Sequence, residues 1–330
     1  MNGWENKIFK ASFYNFESLA LELFSFQYDH NITYREYTDS IKVDPAKVNS
    51  IDKIPFLPVA FFKTHRIITT PFEPAIIFES SGTTGSVNSR HYVKNTALYN
   101  KSFTRAFELF YGPEKEWCIL ALLPSYLEQQ NSSLVFMVDE LIKKSAHPMS
   151  GFYLNDHDKL YHTLLHNEIL QQPTLLIGVT FALLDFAEKY KMKLKNTVIM
   201  ETGGMKGRRE EMTRQEVHKL LKDTLKVKEV HSEYGMTELL SQAYSHGDGL
   251  FKCPPWMKIL VREVDDPLSV KKASIKKTTG LINIIDLANI YSCAFIATDD
   301  IGCLHKNDYF EVLGRSDSSD LRGCSLLVSN

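Results

Sequence analysis

The stretch Phe78-Glu79-Ser80-Ser81-Gly82-Thr83-Thr84-Gly85-Ser86 decides how the rest of the chain is read. The run before it, Ala75-Ile76-Ile77-Phe78, reads as the end of a buried strand. From Ser80 to Gly85 come two Ser, two Gly and two Thr without interruption. Glycine carries no Cβ, so the backbone can fold tightly and bring its N–H groups close to an anion. The hydroxyls add donors of their own. Each charge-assisted bond to a phosphate oxygen contributes roughly 1.5–3 kcal/mol, so a few such donors can hold a polyphosphate. No Gly-Lys-Ser/Thr closes the loop, which separates it from the common P-loop. Taken alone, the stretch is equally a flexible Ser/Gly/Thr turn.

Composition narrows the field. A chain of 330 residues can bury a large core, expected here as one large domain. The net charge is −2 and no basic run stands out, so nucleic-acid binding has no electrostatic footprint. The N-terminus Met1-Asn2-Gly3-Trp4-Glu5-Asn6-Lys7 lacks the apolar core of a signal peptide, and no apolar run is long enough to span a membrane. Cys118, Cys253, Cys293, Cys303 and Cys324 are odd in number and scattered, with no C-x-x-C pair. The expectation is a reduced, cytoplasmic protein without a structural zinc site.

Working outward, residues 12–30 and 31–40 carry apolar residues at helical spacing. Ile54 to Lys63, with Pro55 and Pro58, is expected to dock in extended form. Beyond the loop, His91-Tyr92-Val93 reads as a strand and 96–111 as a helix. Cys118 to Leu123 is a continuous apolar run stopped by Pro124, which suits a strand covered on both faces. Ser132 or Ser133 caps the next helix. The pattern repeats: helix 157–171 with Leu160, Leu164 and Ile169 inward, strand 174–179, helix 180–191, strand 197–201, a capping box Thr213-Arg214-Gln215-Glu216 opening a helix to Leu225, and strand 227–233. Such alternation means βαβ units and a parallel sheet. From about residue 257 strands follow one another (257–264, 280–287, 290–298, 309–313), and an antiparallel sheet or small barrel is expected. The large domain thus divides into a helical and extended part over 1–70, an α/β nucleotide-binding core over 71–255 and a β-rich part over 256–330.

Four further stretches carry chemistry. Thr202-Gly203-Gly204 follows a strand, where small residues leave room for a flat ligand, although two glycines there are often a plain turn. In Ser232-Glu233-Tyr234-Gly235-Met236-Thr237-Glu238, Tyr234 can stack on a purine, Thr237 can donate to a phosphate and Glu238 can hold a metal. A carboxylate about 4 Å from a phosphate repels it by roughly 4 kcal/mol at an effective dielectric of about 20, so Glu238 suits a triphosphate only with Mg²⁺ between them. The plain alternative is a helix start with Thr237 as its cap. Thr298-Asp299-Asp300-Ile301-Gly302 suits a ribose diol, or is an Asp-rich hairpin turn. In Gly314-Arg315-Ser316-Asp317, Arg315 can reach ribose or phosphate, or lies in a solvated loop.

The order Ser-Ser-Gly-Thr-Thr-Gly, Tyr-Gly-x-Thr-Glu, Thr-x-Asp, Gly-Arg-x-Asp resembles the adenylate-forming superfamily, whose members activate a carboxylate with ATP to an acyl-adenylate and release pyrophosphate. Within it the chain is most similar to the acyl-protein synthetases of the LuxE type, the luciferin-component ligases. Ile54-Pro55-Phe56-Leu57-Pro58 with Phe62-Lys63, Leu122 to Leu127, Thr202 to Arg208 and Leu321-Arg322-Gly323-Cys324-Ser325 carry that match. The resemblance implies an α/β fold: a multilayer adenylate-forming N-terminal domain with parallel βαβ sheets and a C-terminal antiparallel sheet or barrel.

It also implies roles. Ser80, Ser81, Gly82, Thr83, Thr84 and Gly85 clamp the β- and γ-phosphates of ATP. Gly203, Gly204, Tyr234 and Gly235 line the adenine. Thr237 contacts the α-phosphate, Glu238 the Mg²⁺, and Asp300 the ribose with help from Arg315. Tyr126 walls the acyl pocket, whose acid the resemblance makes long-chain.

Two departures qualify the carry-over. The lysine usual just after the loop is missing, with Arg90 the nearest cation. The chain also ends at Asn330, soon after Gly314, so the usual lid domain and its lysine are not expected, and Arg315, Lys206 and Arg90 are candidates to replace that charge. The family's acyl carrier is a cysteine near the C-terminus, where Cys324 stands; a thiol of ordinary pKa is only about 3% thiolate at pH 7, and Arg322 can lower that pKa. Cys324, Thr237 and Arg315 are the expected catalytic residues, and an acyl reductase or transferase the expected partner. Two rival readings stay open: a ligase passing the acyl group to coenzyme A or a carrier protein, and a non-catalytic nucleotide-binding subunit.

Overall fold

The computed structural model describes residues 3–80, 87–124, 129–203, 212–264, 266, 268–272 and 277–316. They form two compact units. The chain begins in the first unit (residues 1–75, with 89–94), passes through the second (76–88 and 95–254), and returns to the first from Pro255.

In the first unit, α1 spans Phe16–His30 and α2 spans Ile32–Ser40. The helix expected from residue 12 begins later because Asn15 Oδ1 accepts from the Ser12 backbone N–H at 2.7 Å, closing a turn ahead of it. α1 buries Leu19, Leu23 and Phe24, and its buried Gln27 amide donates to the carbonyl oxygens of Asn289 at 2.8 Å and Ile290 at 3.0 Å. The segment expected to be extended is so only at Leu57–Pro58; Phe61–Thr64 is a short helix.

The second unit is the α/β body. Ile76–Glu79 is its first strand, of which only Phe78 is fully buried, against Tyr99 and Phe136. Then follow α3 (Thr96–Tyr111), β1 (Cys118–Leu122), α4 (Ser133–Ser145), α5 (His157–Leu170), β2 (Thr174–Gly178), α6 (Thr180–Lys189), β3 (Thr197–Glu201), α7 (Arg214–Leu225), β4 (Val230–Tyr234) and β5 (Ala243–Ser245). Strands β1 to β4 are neighbours in that order and all parallel, with the short strand Gly151–Phe152 beyond β1. Every residue of β1 and β2 is buried, as expected for strands covered on both faces. β5 runs antiparallel to β4.

Local sequence sets the helix starts. Asn95 caps α3, Ser132 caps α4, and the capping box opening α7 is complete, with Thr213 and Glu216 bonding each other's backbone N–H. On α5, Leu160 and Leu164 are buried, but Ile169, expected inward, is 81% exposed. It lies roughly 180° around the helix from Leu160, so it faces solvent, while Asn167 in the same last turn is buried.

Back in the first unit, β6 (Met257–Arg262), β7 (Thr278–Asp286), β8 (Phe295–Leu304) and β9 (Tyr309–Arg315) form an antiparallel sheet in chain order. Leu57–Pro58 adds to β8 in parallel at Ile296 and Ala297. The strand expected over 290–298 lies further along. Asn289 to Ser292 form a turn, with Ser292 N–H bonded to the Asn289 carbonyl at 3.3 Å, and β8 continues to Leu304.

Candidate functional site

β1 to β3 begin level at Cys118, Thr174 and Thr197, and β4 joins them at Ile199 through Val230. Leu122 pairs with Gly178, Gly178 with Glu201, and Glu201 with Ser232, so β1 to β4 release their following loops along one edge of the sheet. That C-terminal edge is where open α/β sheets bind ligands. Three of the stretches singled out in the sequence belong to this unit.

Ser80 follows the strand Ile76–Glu79, and the Glu79 N–H donates to the Asn131 carbonyl at 2.8 Å, beside the start of α4. Ser81 to Gly85, Tyr126, Gly204, Lys206 and Cys324 lie outside the described residues. Gly203 leaves β3 with a φ of +29°, a backbone conformation that side chains disfavour, and among the described residues beyond its chain neighbours no atom lies within 4 Å of where its Cβ would stand. Next to it the buried Thr202 hydroxyl has no hydrogen-bond partner among the described residues.

Tyr234 ends β4, is buried, and packs edge-on against Phe251 at 6.0 Å. Gly235 to Gln242 then form the loop joining β4 to β5, so Thr237 and Glu238 sit in a turn and not at a helix start. Glu238 is only 5% exposed. A buried carboxylate is costly unless a cation or donors meet it.

Sequence reading missed the charged groups around these loops. Glu201, the last residue of β3, is buried and accepts from Thr180 Oγ1 at 3.2 Å and Arg214 Nε at 3.3 Å, with His218 Nε2 at 3.7 Å. Burial alone would raise its pKa; His218 and Arg214 outweigh that and hold it below the usual glutamate range. The signal was available: a carboxylate closing the apolar run Val198-Ile199-Met200, and Arg214 and His218 four apart on one helix face.

Glu233 points to the other face of the sheet. Its carboxyl folds back so tightly that a Cβ on Gly235 would lie 2.4 Å from Glu233 Oε1. Burial, and then the charge of Glu201, push this carboxyl up to about 8. On the same strand His231 is driven down to about 4 by burial and by His246, whose ring stacks on it at 4.9 Å.

Asp300 and Arg315 belong to the first unit. They are cross-strand partners on β8 and β9, and Arg315 Nε lies 3.5 Å from Asp300 Oδ1. Thr298 to Gly302 is therefore mid-strand, not a hairpin turn, and carries the register shift between Ile301 and Gly302. The Arg315 side chain is 67% exposed and that of Asp300 only 16%, so the pair presents a guanidinium to solvent above a sheltered carboxylate. Arg90, in the same unit, is exposed at the start of Arg90–Val93.

A sequence model of the acyl-protein synthetases named LuxE matches residues 7–330. The chain belongs to this family. It is thus an enzyme of the AMP-forming acyl-ligase class. One relative of this LuxE-family chain is the long-chain-fatty-acid–luciferin-component ligase of Aliivibrio fischeri, 23% identical over 337 residues, which cover 95% of this chain and 88% of that protein.

Among solved structures, an open conformation of 2-hydroxyisobutyryl-CoA ligase in complex with 2-HIB-AMP and CoA superposes with a TM-score of 0.64 at 12% identity, over 91% of this chain and 74% of that one. ATP-bound MatB from Rhodopseudomonas palustris gives 0.54 at 15% identity over 72% of this chain, which spans about half of MatB (47%). At such identities the likeness shows a shared fold: the adenylate-forming fold expected from the sequence, with its parallel α/β body and antiparallel sheet.

Proposed function

We propose that this LuxE-family enzyme activates a long-chain carboxylic acid with ATP and passes the acyl group to its own Cys324. The observation that carries the adenylation half is the C-terminal edge of the parallel sheet. There Gly203, which faces open space among the described residues, the Thr202 hydroxyl, which has no hydrogen-bond partner among them, and the buried Glu238 follow consecutive strands. These features fit a nucleotide: a flat base needs the missing Cβ, and an unpartnered hydroxyl needs a polar ligand atom. A buried carboxylate is also the hard oxygen donor that Mg²⁺ prefers.

The names of the relatives support the substrates. The Aliivibrio fischeri relative is a fatty-acid ligase, and the MatB structure holds ATP.

The proposed roles follow the motifs. Ser80 to Gly85 hold the β- and γ-phosphates through backbone N–H and hydroxyl donors. Gly203, Gly204, Tyr234 and Gly235 border the adenine, Thr237 donates to the α-phosphate, and Glu238 is the ligand for Mg²⁺, which when bound neutralises phosphate charge. Asp300 accepts from the ribose hydroxyls, and Arg315 orients Asp300 through the observed ion pair.

In the first step a carboxylate oxygen attacks the α-phosphorus; a P–O bond forms and pyrophosphate leaves with the electrons of the broken one. In the second, the thiolate Sγ attacks the acyl carbonyl carbon, AMP departs, and the thiol proton goes to solvent. Incubation of the enzyme with ATP, Mg²⁺ and a radiolabelled long-chain acid tests both steps. The expected result is a hydroxylamine-labile protein adduct on the wild type that is absent from Cys324→Ser. An unlabelled wild type that instead makes acyl-CoA when coenzyme A is added would overturn the self-acylation.

A further inference from the structure

We propose that the tip of the β8–β9 hairpin is a binding site for a zinc-like divalent metal, with Cys303, His305 and Glu311 as ligands. Strand geometry puts them together. Cys303 and His305 are two residues apart in extended backbone, so both side chains leave the same face. Glu311 is the cross-strand partner of Cys303 on β9. The opposite face of the hairpin carries Leu304 and Phe310 into the core.

The connection between the strands is a tight turn over Lys306–Asp308. Its Asn307 and Asp308 take left-handed backbone angles, and His305 N–H bonds the Tyr309 carbonyl at 2.7 Å. The three ligand-bearing positions are thereby fixed by backbone.

The donor set is specific. One thiol, one imidazole nitrogen and one carboxylate oxygen all lie within 4.8 Å of one another, and the described residues contain no other such group. Thiolate with imidazole and carboxylate suits zinc, and is soft for Mg²⁺ or Ca²⁺. The thiol is 5% exposed, sheltered at the base of the group, while His305 and Glu311 stand nearer solvent on the entry side.

Without metal, His305 Nε2–H donates to Glu311 Oε2 at 2.7 Å. Metal binding displaces that proton and the thiol proton into solvent, and three protein ligands leave a fourth tetrahedral position for water. The site would lock the hairpin whose far end carries Asp300 and Arg315.

Co²⁺ serves as the spectroscopic probe. The full-length protein, freed of metal with a chelator, is titrated with Co²⁺ and its near-ultraviolet absorption recorded. The expected result is a thiolate-to-cobalt charge-transfer band that saturates at one equivalent. It is lost in Cys303→Ser and in His305→Ala, is retained in Cys253→Ser and Cys324→Ser, and is abolished by one equivalent of Zn²⁺.

Circular dichroism of each variant checks folding. Should Cys303→Ser misfold, Glu311→Gln, which keeps the shape of the side chain, is to show weakened binding. No thiolate band on the wild type, or a band that survives Cys303→Ser and vanishes in Cys324→Ser, would overturn the site and leave Cys303 as a packed thiol beneath a His–Glu pair.

Discussion

Glu238 and Glu233 flank Tyr234-Gly235 at the end of one strand, and each is sheltered from water in a different way. Glu238 is buried in the turn at the sheet edge, with Mg²⁺ as its proposed counter-charge. Glu238→Gln is therefore expected to lower acid-dependent turnover by ~10²–10³-fold, with little change in melting temperature. An unchanged rate would remove Glu238 from the metal site. Glu233 meets no such cation among the described residues and is expected to hold a proton at neutral pH, because burial lifts its pKa to about 8.

The sign of the resulting pH dependence follows from linkage. The unfolded glutamate ionises near the usual value of 4.5 and the folded one near 8, so the unfolded state loses its proton first as pH rises. The contribution of Glu233 to stability is whole below about pH 4.5 and is lost progressively up to pH 8. In urea denaturation Glu233→Gln should gain on the wild type as pH rises through this window, whereas parallel stability curves would contradict the shift. Neither this carboxylate nor Glu201 stood out in the sequence. Their chemistry comes from what packs around them, namely Arg214 and His218 for Glu201, and burial with the charge of Glu201 for Glu233. The motif Tyr234-Gly235-Met236-Thr237-Glu238 was legible because its residue types are unusual at that spacing.

At the scale of the element, periodicity and caps carried the reading furthest. α3 spans Thr96–Tyr111 and β3 spans Thr197–Glu201, matching the expected ranges, because each is bounded by a residue with a local reason to stop or start. Asn95 caps α3 and Gly112, at φ +80°, ends it. Replacing Thr213 by Ala removes the oxygen that satisfies the Glu216 N–H and is expected to cost about 1 kcal/mol of stability, with adenylation unaffected.

α5 shows where an apolar residue type misleads. Ile169 lies roughly 180° around the helix from Leu160, and the buried face continues through Thr163, Leu164 and Asn167 instead. Ile169→Lys should then change stability by less than about 0.5 kcal/mol, while Leu164→Ala should cost roughly 2–5 kcal/mol. Thermal melts of the pair would expose an error if the two losses were alike. The position of β8 was misread for a different reason. Ile290 to Thr298 is an apolar run, but buried polar neighbours, including Asn289 and Ser292, shape its first part into a turn held by Gln27. A contact over so long a sequence separation leaves no local trace.

For the whole molecule, the alternation of strands and helices disclosed the class of fold, and the order of the motifs disclosed the family. The assembly of each unit was less open to reading. Residues 3–75 and the strands after Pro255 share one unit, joined by the parallel pairing of Leu57–Pro58 to Ile296 and Ala297 and by the bonds from Gln27. No spacing within either segment announces that partnership.

The central claim is that this chain makes an acyl-adenylate, and acid-dependent exchange of labelled pyrophosphate into ATP tests it most directly, since it needs no acyl acceptor. With Mg²⁺ and a panel of short, long and aromatic acids, label is expected to enter ATP with long-chain acids, in Cys324→Ser as in the wild type. Intact ATP binding with no exchange for any acid would contradict the account and favour a non-catalytic nucleotide-binding subunit.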